Sequence, residues 1–240
     1  MRSTGSNSLK TFACLTVFAV AMGFLEAIVV VYLRQIYYPG GFEFPLTMLS
    51  PEMISVEWIR EFATLIMLAS VGILAGKNIL QRLLYFLYGF AIWDIFYYVA
   101  LKLFLDWPPS IMTWDLLFLI PVSWIGPVLA PVICSLTMIL MAAVLIPLQE
   151  RRASFRTLFY EWLLVFLGAF IILCTFIKDY SGLLIRNGFL AGKRTPADEE
   201  NLRQAIAQYI PTDYNWILFI AGEIIILAAV TLMIKRNTKK

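Results

Sequence analysis

Four carboxylates lie inside long apolar stretches of this sequence, at Glu26, Glu61, Asp94 and Glu223. Counting ~1.5 Å of rise per helical residue from the predicted membrane edges places all four in the same half of the bilayer. An ionisable group at the centre of a membrane helix costs about 2.5–3.5 kcal/mol on insertion scales. We therefore predict that these residues converge on one polar site inside a helical bundle.

Two basic side chains accompany these carboxylates. Arg34 lies two helical turns from Glu26, and Arg60 adjoins Glu61. Partial charge pairing is therefore available, although acids outnumber bases. The complete set of predicted ligand-binding residues is Glu26, Arg34, Arg60, Glu61, Asp94, Tyr98, Asp115 and Glu223.

A polar stripe on the third apolar segment extends this site towards the membrane surface. Asp94, Tyr98 and Lys102 are spaced i, i+4 and i+8, so they share one helix face. Asp115 falls at the outer edge of the next segment, and we expect it to lie most of half a membrane away from Asp94.

The excess of acid suggests what the site binds. Carboxylates in a low-dielectric cavity either take up protons or hold a cation, an amine or an arginine of another helix. If Arg34 and Arg60 are free, the same region can instead grip a lipid phosphate or a substrate carboxylate. The alternative is a purely structural role, in which these groups pair with one another between helices.

The composition indicates a multi-pass membrane protein. Of the 240 residues, 61% are hydrophobic and 15% are charged, against about 25% charged in soluble domains. A spanning helix needs about 20 mostly apolar residues. We predict an all-α bundle in a single transmembrane domain, residues 1–240, with six spans at about 11–33, 57–75, 83–104, 116–146, 158–177 and 215–234.

The distribution of basic residues predicts the orientation. Lys and Arg are enriched in the cytoplasmic connections of membrane proteins, and this rule places both termini in the cytoplasm. The basic residues that fall inside are then Arg2, Lys10, Lys77, Arg82, Arg151, Arg152, Arg156, Lys235, Arg236, Lys239 and Lys240.

Two features of the predicted outer half depart from plain spanning helices. The fourth segment is too long for a simple span, and Pro121, Gly126, Pro127 and Pro131 fall in its outer half, so we predict a broken or kinked helix there. The last outer loop has apolar residues at helical spacing after Pro196. This pattern predicts an amphipathic helix at about 196–210 that packs over the mouth of the bundle.

Several kinds of chemistry are excluded by what the sequence lacks. It has no histidine, which removes histidine-ligated haem, histidine-bound zinc and Ser-His pairs. Cys14, Cys134 and Cys174 show no metal-binding or disulfide spacing. No phosphate-binding loop occurs. We expect no cofactor, nucleotide or nucleic acid, and the sequence does not decide whether a metal ion binds.

The chain resembles uncharacterised bacterial polytopic membrane proteins over about its first four predicted helices. The stretches that carry the resemblance begin at Gly23 (GFLEA), Trp93 (WDIFYY), Thr113 (TWDLLFLIP) and Trp124 (WIGPVLAP). The resemblance names no activity. It implies a bacterial source and the inner membrane.

Three classes of function fit these observations. The favoured class is a small transporter, or the membrane-embedded substrate-binding component of one, with an acidic site open to the outer face. The second is a structural or assembly subunit of a larger membrane complex. The third is an intramembrane enzyme acting on an outer-leaflet lipid, with Asp94 or Glu61 as general base, although no catalytic signature supports it. Expected partners are the lipid bilayer, a cation, an amine or a lipid head group, and other membrane subunits.

Overall fold

Six long helices and a two-stranded hairpin form the framework of the protein. The computed structural model describes residues 4–152, 154–187 and 196–238. Within these ranges, six helices are long and apolar enough to cross a membrane. They are α1 (Thr4–Tyr37), α2 (Pro51–Ala75), α3 (Ile79–Leu105), α4 (Leu129–Arg151), α5 (Phe159–Arg186) and α7 (Trp216–Thr238). The prediction of a six-helix membrane bundle is confirmed.

A seventh, shorter helix lies in the connection between α5 and α7. This helix, α6 (Pro196–Ala207), is where the sequence predicts an amphipathic helix. Leu202 on its apolar face is buried, whereas Gln204 points away from the protein core and is exposed. The amphipathic helix is thus present, and it ends three residues before the predicted boundary.

The predicted break in the fourth segment takes the form of a β-hairpin. Strands β1 (Trp114–Phe118) and β2 (Trp124–Pro127) pair antiparallel, with Asp115 opposite Gly126. The helical part of this segment, α4, therefore begins at Leu129 and not near residue 116. The physical reason is that Pro121 and Pro127 lack the N–H group that a helix interior requires. The hairpin bonds the remaining backbone groups across its two strands.

The first turn of α4 is anchored to the chain that precedes the hairpin. The backbone N–H groups of Val128 and Leu129 donate to the carbonyl oxygens of Thr113 and Ile111, at 3.0 and 2.8 Å. These are donors that a helix cannot satisfy internally at its start. The chain that enters the hairpin after α3 is therefore hydrogen-bonded to the chain that leaves it at the start of α4.

Helix α3 is the centre of the bundle. It packs against α1, α2 and α4. Helix α5 pairs with α7, and this pair joins the rest through the contact of α7 with α4 and the contact of α5 with β2. Small residues permit the closest approaches. Gly23 of α1 lies against the backbone of Trp93 and Tyr97 on α3, and Gly168 of α5 lies against the backbone of Gly222 on α7.

The connections divide the bundle into two ends. At the termini end, α1 begins and α7 ends. At the hairpin end lie the hairpin, α6 and the 38–50 loop between α1 and α2. Of the basic residues predicted to face the cytoplasm, Arg2, Lys239 and Lys240 lie outside the described residues. The remainder belong to the termini end, and the orientation in the membrane stays a prediction.

We predict that Gly23→Ala destabilises the contact between α1 and α3. A Cβ at this position would lie 2.7 Å from the Trp93 carbonyl oxygen and 3.0 Å from the Tyr97 nitrogen. These are backbone atoms, so the helices must separate, at a cost of about 1–3 kcal/mol. The measurement is the melting temperature of the purified protein in lipid discs.

Gly182→Ala in α5 is the matched control. No atom lies within 4 Å of its added Cβ, and the gain in helix propensity, up to about 1 kcal/mol, favours the variant. Equal melting temperatures for the two alanine variants would contradict the close contact between α1 and α3.

Candidate functional site

A cavity of about 400 Å³ lies at the hairpin end of the bundle. Its walls come from α1, α2, α3 and the hairpin, with contributions from the 38–50 loop and from Tyr180 and Leu184 of α5. Leu202 and Ile206 of α6 also line it. The amphipathic helix therefore covers the cavity with its apolar face.

The first polar unit in the cavity wall is centred on Arg34. Its Nη2 donates to Asp115 Oδ1 at 3.1 Å, and the Tyr98 hydroxyl donates to Asp115 Oδ2 at 3.1 Å. The guanidinium also packs against two aromatic rings that are perpendicular to each other, 4.2 Å from the centroid of Phe42 and 3.8 Å from that of Trp107. This unit joins α1, the hairpin and α3 and holds Arg34 in one orientation.

Asp115 is the most deeply buried member of this unit, with 1% of its surface exposed. It lies on the hairpin, outside the spanning helices. Burial raises the pKa of this carboxyl group, and the positive charge of Arg34 and the hydrogen bond from Tyr98 act in the opposite direction. Arg34 and Tyr98 thus stabilise the charged form of Asp115, which burial disfavours.

The second polar unit is centred on Arg60. Its guanidinium forms an ion pair with Glu26 of α1 and another with Glu57 of its own helix, the latter at 2.8 Å. Thr64 Oγ1 donates to the second oxygen of Glu26 at 3.0 Å. One arginine therefore pairs with two carboxylates, and the pair with Glu26 ties α1 to α2.

Glu61 has a different partner from the other carboxylates. Both of its oxygens accept from the backbone N–H of Leu119, each at 3.0 Å. Leu119 lies in the turn between β1 and β2, so Glu61 fixes the tip of the hairpin to α2. Arg60, its neighbour in the sequence, forms ion pairs with Glu26 and Glu57.

Asp94 is the cavity carboxylate that has neither an arginine nor a backbone donor. Its Oδ2 accepts from Ser135 Oγ of α4 at 2.8 Å. Within the described part of the chain, no lysine or arginine forms an ion pair with it. A single neutral hydroxyl leaves most of the acceptor capacity of this carboxylate unused.

Glu223 does not line the cavity. It is buried between helices, and its Oε2 accepts from Thr137 of α4 at 2.7 Å. The membrane depth counted from the sequence places Glu223 level with the other acids, but α7 packs against α5 and α4, away from α1 and α2. The expectation that all four intramembrane acids converge is therefore wrong for Glu223.

Asp115 also differs from its expected position. The sequence places it at the outer edge, far from Asp94, whereas both residues line the same cavity. The reason is the hairpin, which folds β1 back against α3 so that Asp115 reaches Tyr98, one helical turn from Asp94. Lys102, the upper residue of the predicted stripe, instead pairs with the exposed Asp106.

Several residues outside the predicted set also line the cavity, among them Glu57, Trp58, Trp93 and Tyr97. For Glu57 a signal exists in the sequence. The buried residues of α2 include Glu57, Glu61, Thr64 and Leu68, at spacings i, i+4, i+7 and i+11. This periodicity puts Glu57 on the same face as Glu61. In the described ranges, no group of three or more Asp, Glu, Cys or His side chains is arranged to hold a metal ion.

We predict that Asp115→Asn strongly destabilises the protein. The substitution leaves Arg34 with a buried positive charge and no carboxylate, and loss of one member of a buried pair costs about 3–5 kcal/mol. The measurement is again the melting temperature in lipid discs.

Asp106→Asn is the control, because the Asp106 side chain is 91% exposed although it lies 2.7 Å from Lys102 Nζ. An exposed pair of this kind contributes little to stability, so we expect no measurable change. A melting temperature for Asp115→Asn that equals that of Asp106→Asn would show that the Arg34 unit is not needed for folding.

Seven of the eight predicted site residues thus line one cavity: Glu26, Arg34, Arg60, Glu61, Asp94, Tyr98 and Asp115. These seven residues come from four elements, α1, α2, α3 and β1, so the site exists only in the assembled bundle. No protein-family model, no curated protein and no solved structure matches this chain.

Proposed function

We propose that this protein is a small transporter, or the membrane-embedded substrate-binding component of one, and that its ligand occupies the cavity at the hairpin end. The observation that carries the proposal is the state of Asp94. It lies in the wall of a cavity large enough for a small molecule and, among the described residues, has no cationic partner.

The charge balance of the cavity supports a ligand with a positive group. Five carboxylates and two guanidinium groups line it, and no lysine does so among the described residues. Four of the carboxylates bond to arginine or to a backbone N–H. The fifth, Asp94, is where an ammonium group gains most, because a carboxylate in a low-dielectric site favours an opposite charge nearby.

The elements around the cavity fit a site that has to admit and release a ligand. The cover consists of α6 and the 38–50 loop, which contact the cavity through side chains such as Leu46, Met48 and Ile206. Covers of this kind are drawn from loops and short elements, which open at lower cost than packed spanning helices. On the sequence resemblance we place the protein in the inner membrane of a bacterium, with the cavity towards the outer face.

A substrate-binding component also requires a subunit that couples binding to transport. We propose that a partner protein in the membrane supplies this coupling. A structural subunit would need no ligand at all. The two possibilities are separated by whether a cation stabilises the protein.

We predict that organic ammonium ions stabilise the protein and that Asp94→Asn abolishes this effect. A ligand at one hundred times its Kd adds about 2.7 kcal/mol to the stability of the folded state. The probes are ethanolamine, choline and phenethylamine. The measurement is the melting temperature of the protein in lipid discs at increasing probe concentration.

Glu223→Gln is the matched control, because it also neutralises a buried intramembrane acid but lies outside the cavity wall. We expect this variant to keep the response to the ammonium probes. A wild-type protein that does not respond, together with an Asp94→Asn variant of lower stability, would favour the structural or assembly subunit instead.

A further inference from the structure

A second cavity, of about 630 Å³, lies at the termini end of the bundle. Its walls come from the first turns of α1 and the last turns of α2, and Gln81 and Tyr85 of α3 are buried beneath it. Helices α1 and α2 both pack on α3 but contact each other much less. The cavity is therefore a groove between α1 and α2, and its lining residues Cys14 and Leu74 are exposed on the membrane-facing surface.

The groove is polar at its outer end and apolar towards the middle of the membrane. Lys10 lies near the start of α1, and Lys77 follows the end of α2. Because the two helices are antiparallel, these residues belong to the same end of the groove. Leu15 and Phe18 lie about 7 and 12 Å further along α1, and Val71 lines the corresponding part of α2. This order matches a molecule with a charged head and an apolar chain.

The charges at the polar end favour an anionic head. Lys10 and Lys77 are exposed, and neither forms an ion pair with a carboxylate in the described ranges. Glu150 of α4 also lines the groove, so two positive charges oppose one negative charge. An ammonium group on a flexible stem attracts phosphate as a point charge. The head group therefore needs no preset spacing between the two lysines.

The position in the membrane agrees with this charge. The predicted orientation places the termini end at the cytoplasmic leaflet, where anionic lipids give the surface a negative potential. Basic pockets between spanning helices on this side of a membrane bind lipid head groups. The groove has both features of such a pocket, the basic rim and the position between two spanning helices.

We propose that the groove binds one anionic phospholipid. Its phosphodiester lies at Lys10 and Lys77, and one acyl chain lies between α1 and α2 against Leu15, Phe18 and Val71. This site is separate from the cavity at the hairpin end, because the two share no described lining residue. The inference therefore goes beyond the function proposed above and does not rest on it.

Cys14 gives a local readout, because it is exposed and lines the groove. A bound acyl chain covers its thiol and slows its alkylation by N-ethylmaleimide. The protein in detergent micelles is titrated with dioleoyl phosphatidylglycerol or with dioleoyl phosphatidylcholine, and peptide mass spectrometry measures alkylation at Cys14. We expect phosphatidylglycerol to protect Cys14 at about tenfold lower concentration. Each lysine near a membrane surface favours an anionic lipid about fivefold, and Glu150 opposes the two lysines.

The double variant Lys10→Gln, Lys77→Gln tests the head-group contact. We expect it to remove the difference between the two lipids. The charge-matched control is Arg151→Gln, Lys235→Gln, which removes two exposed bases at the same end of the bundle that are absent from the described groove lining. We expect this control to keep the preference for phosphatidylglycerol. All four side chains are exposed, so their substitution leaves the packed core intact.

Val17→Cys in a Cys14→Ser background tests whether protection is confined to the groove. Val17 is on the same helix and 72% exposed, but it does not line the groove. We expect the two lipids to protect this thiol equally.

Three results would overturn the inference. Equal protection of Cys14 by the two lipids would show that the groove does not select an anionic head group. Protection by glycerol 3-phosphate at the same concentration as phosphatidylglycerol would show that no acyl chain is bound. An equal loss of preference in the two double variants would assign the effect to the general positive charge of the termini end.

Discussion

The buried positive charge of Arg34 is the constraint on which the hairpin end of this protein depends. A buried guanidinium has to be neutralised where it lies, and Asp115 does so at 3.1 Å. Because Arg34 belongs to α1 and Asp115 to the hairpin, the pair fixes two elements that are distant in sequence. Tyr98 adds α3 to the same unit. The position of one charge therefore sets the arrangement of three elements.

The hairpin makes this neutralisation possible. A continuous fourth helix would leave Asp115 at the membrane edge and would place prolines inside a helix. Two short paired strands bond the backbone groups to one another and turn the chain back towards α3. The turn between the strands then meets α2, where Glu61 accepts the N–H of Leu119. The non-helical backbone of the hairpin is thus held by groups of α1, α2 and α3.

The polar residues of the cavity fall into two kinds with different consequences. The Arg34 and Arg60 units and Glu61 have partners within the protein, and they tie helices and the hairpin together. Asp94, Arg34 Nη1 and Trp93 Nε1 retain bonding capacity that the described protein leaves unused. The first kind accounts for how the cavity is built, whereas the second kind has no such structural role among the described residues. Arg34 belongs to both, since one of its nitrogens holds the hairpin and the other is free.

Much of the fold could be predicted because its signals are local. Hydropathy over about twenty residues locates a spanning helix, and all six spans were found in this way. Pro121 and Pro127 predicted a break in the fourth segment, but they did not reveal that the break is a hairpin. The low helix propensity of proline excludes a helix in this segment, but it does not determine which residues of the segment pair with each other. The pairing of Asp115 with Gly126 depends on contacts with α3 and α2 that are not local.

The sequence by itself determined which charges lie within the apolar segments, and only the tertiary structure decided which of them meet. Depth along a helix follows from counting residues, so Glu26, Asp94 and Glu223 were placed level with one another. Which helices are neighbours, and how each is rotated, depends on the packing of whole side-chain surfaces. Because α7 packs on α5 and α4, Glu223 is separated from the cavity at the same predicted depth. The packing of α1, α2 and the hairpin around α3 brings the other residues together, since buried charges are stable only beside their partners.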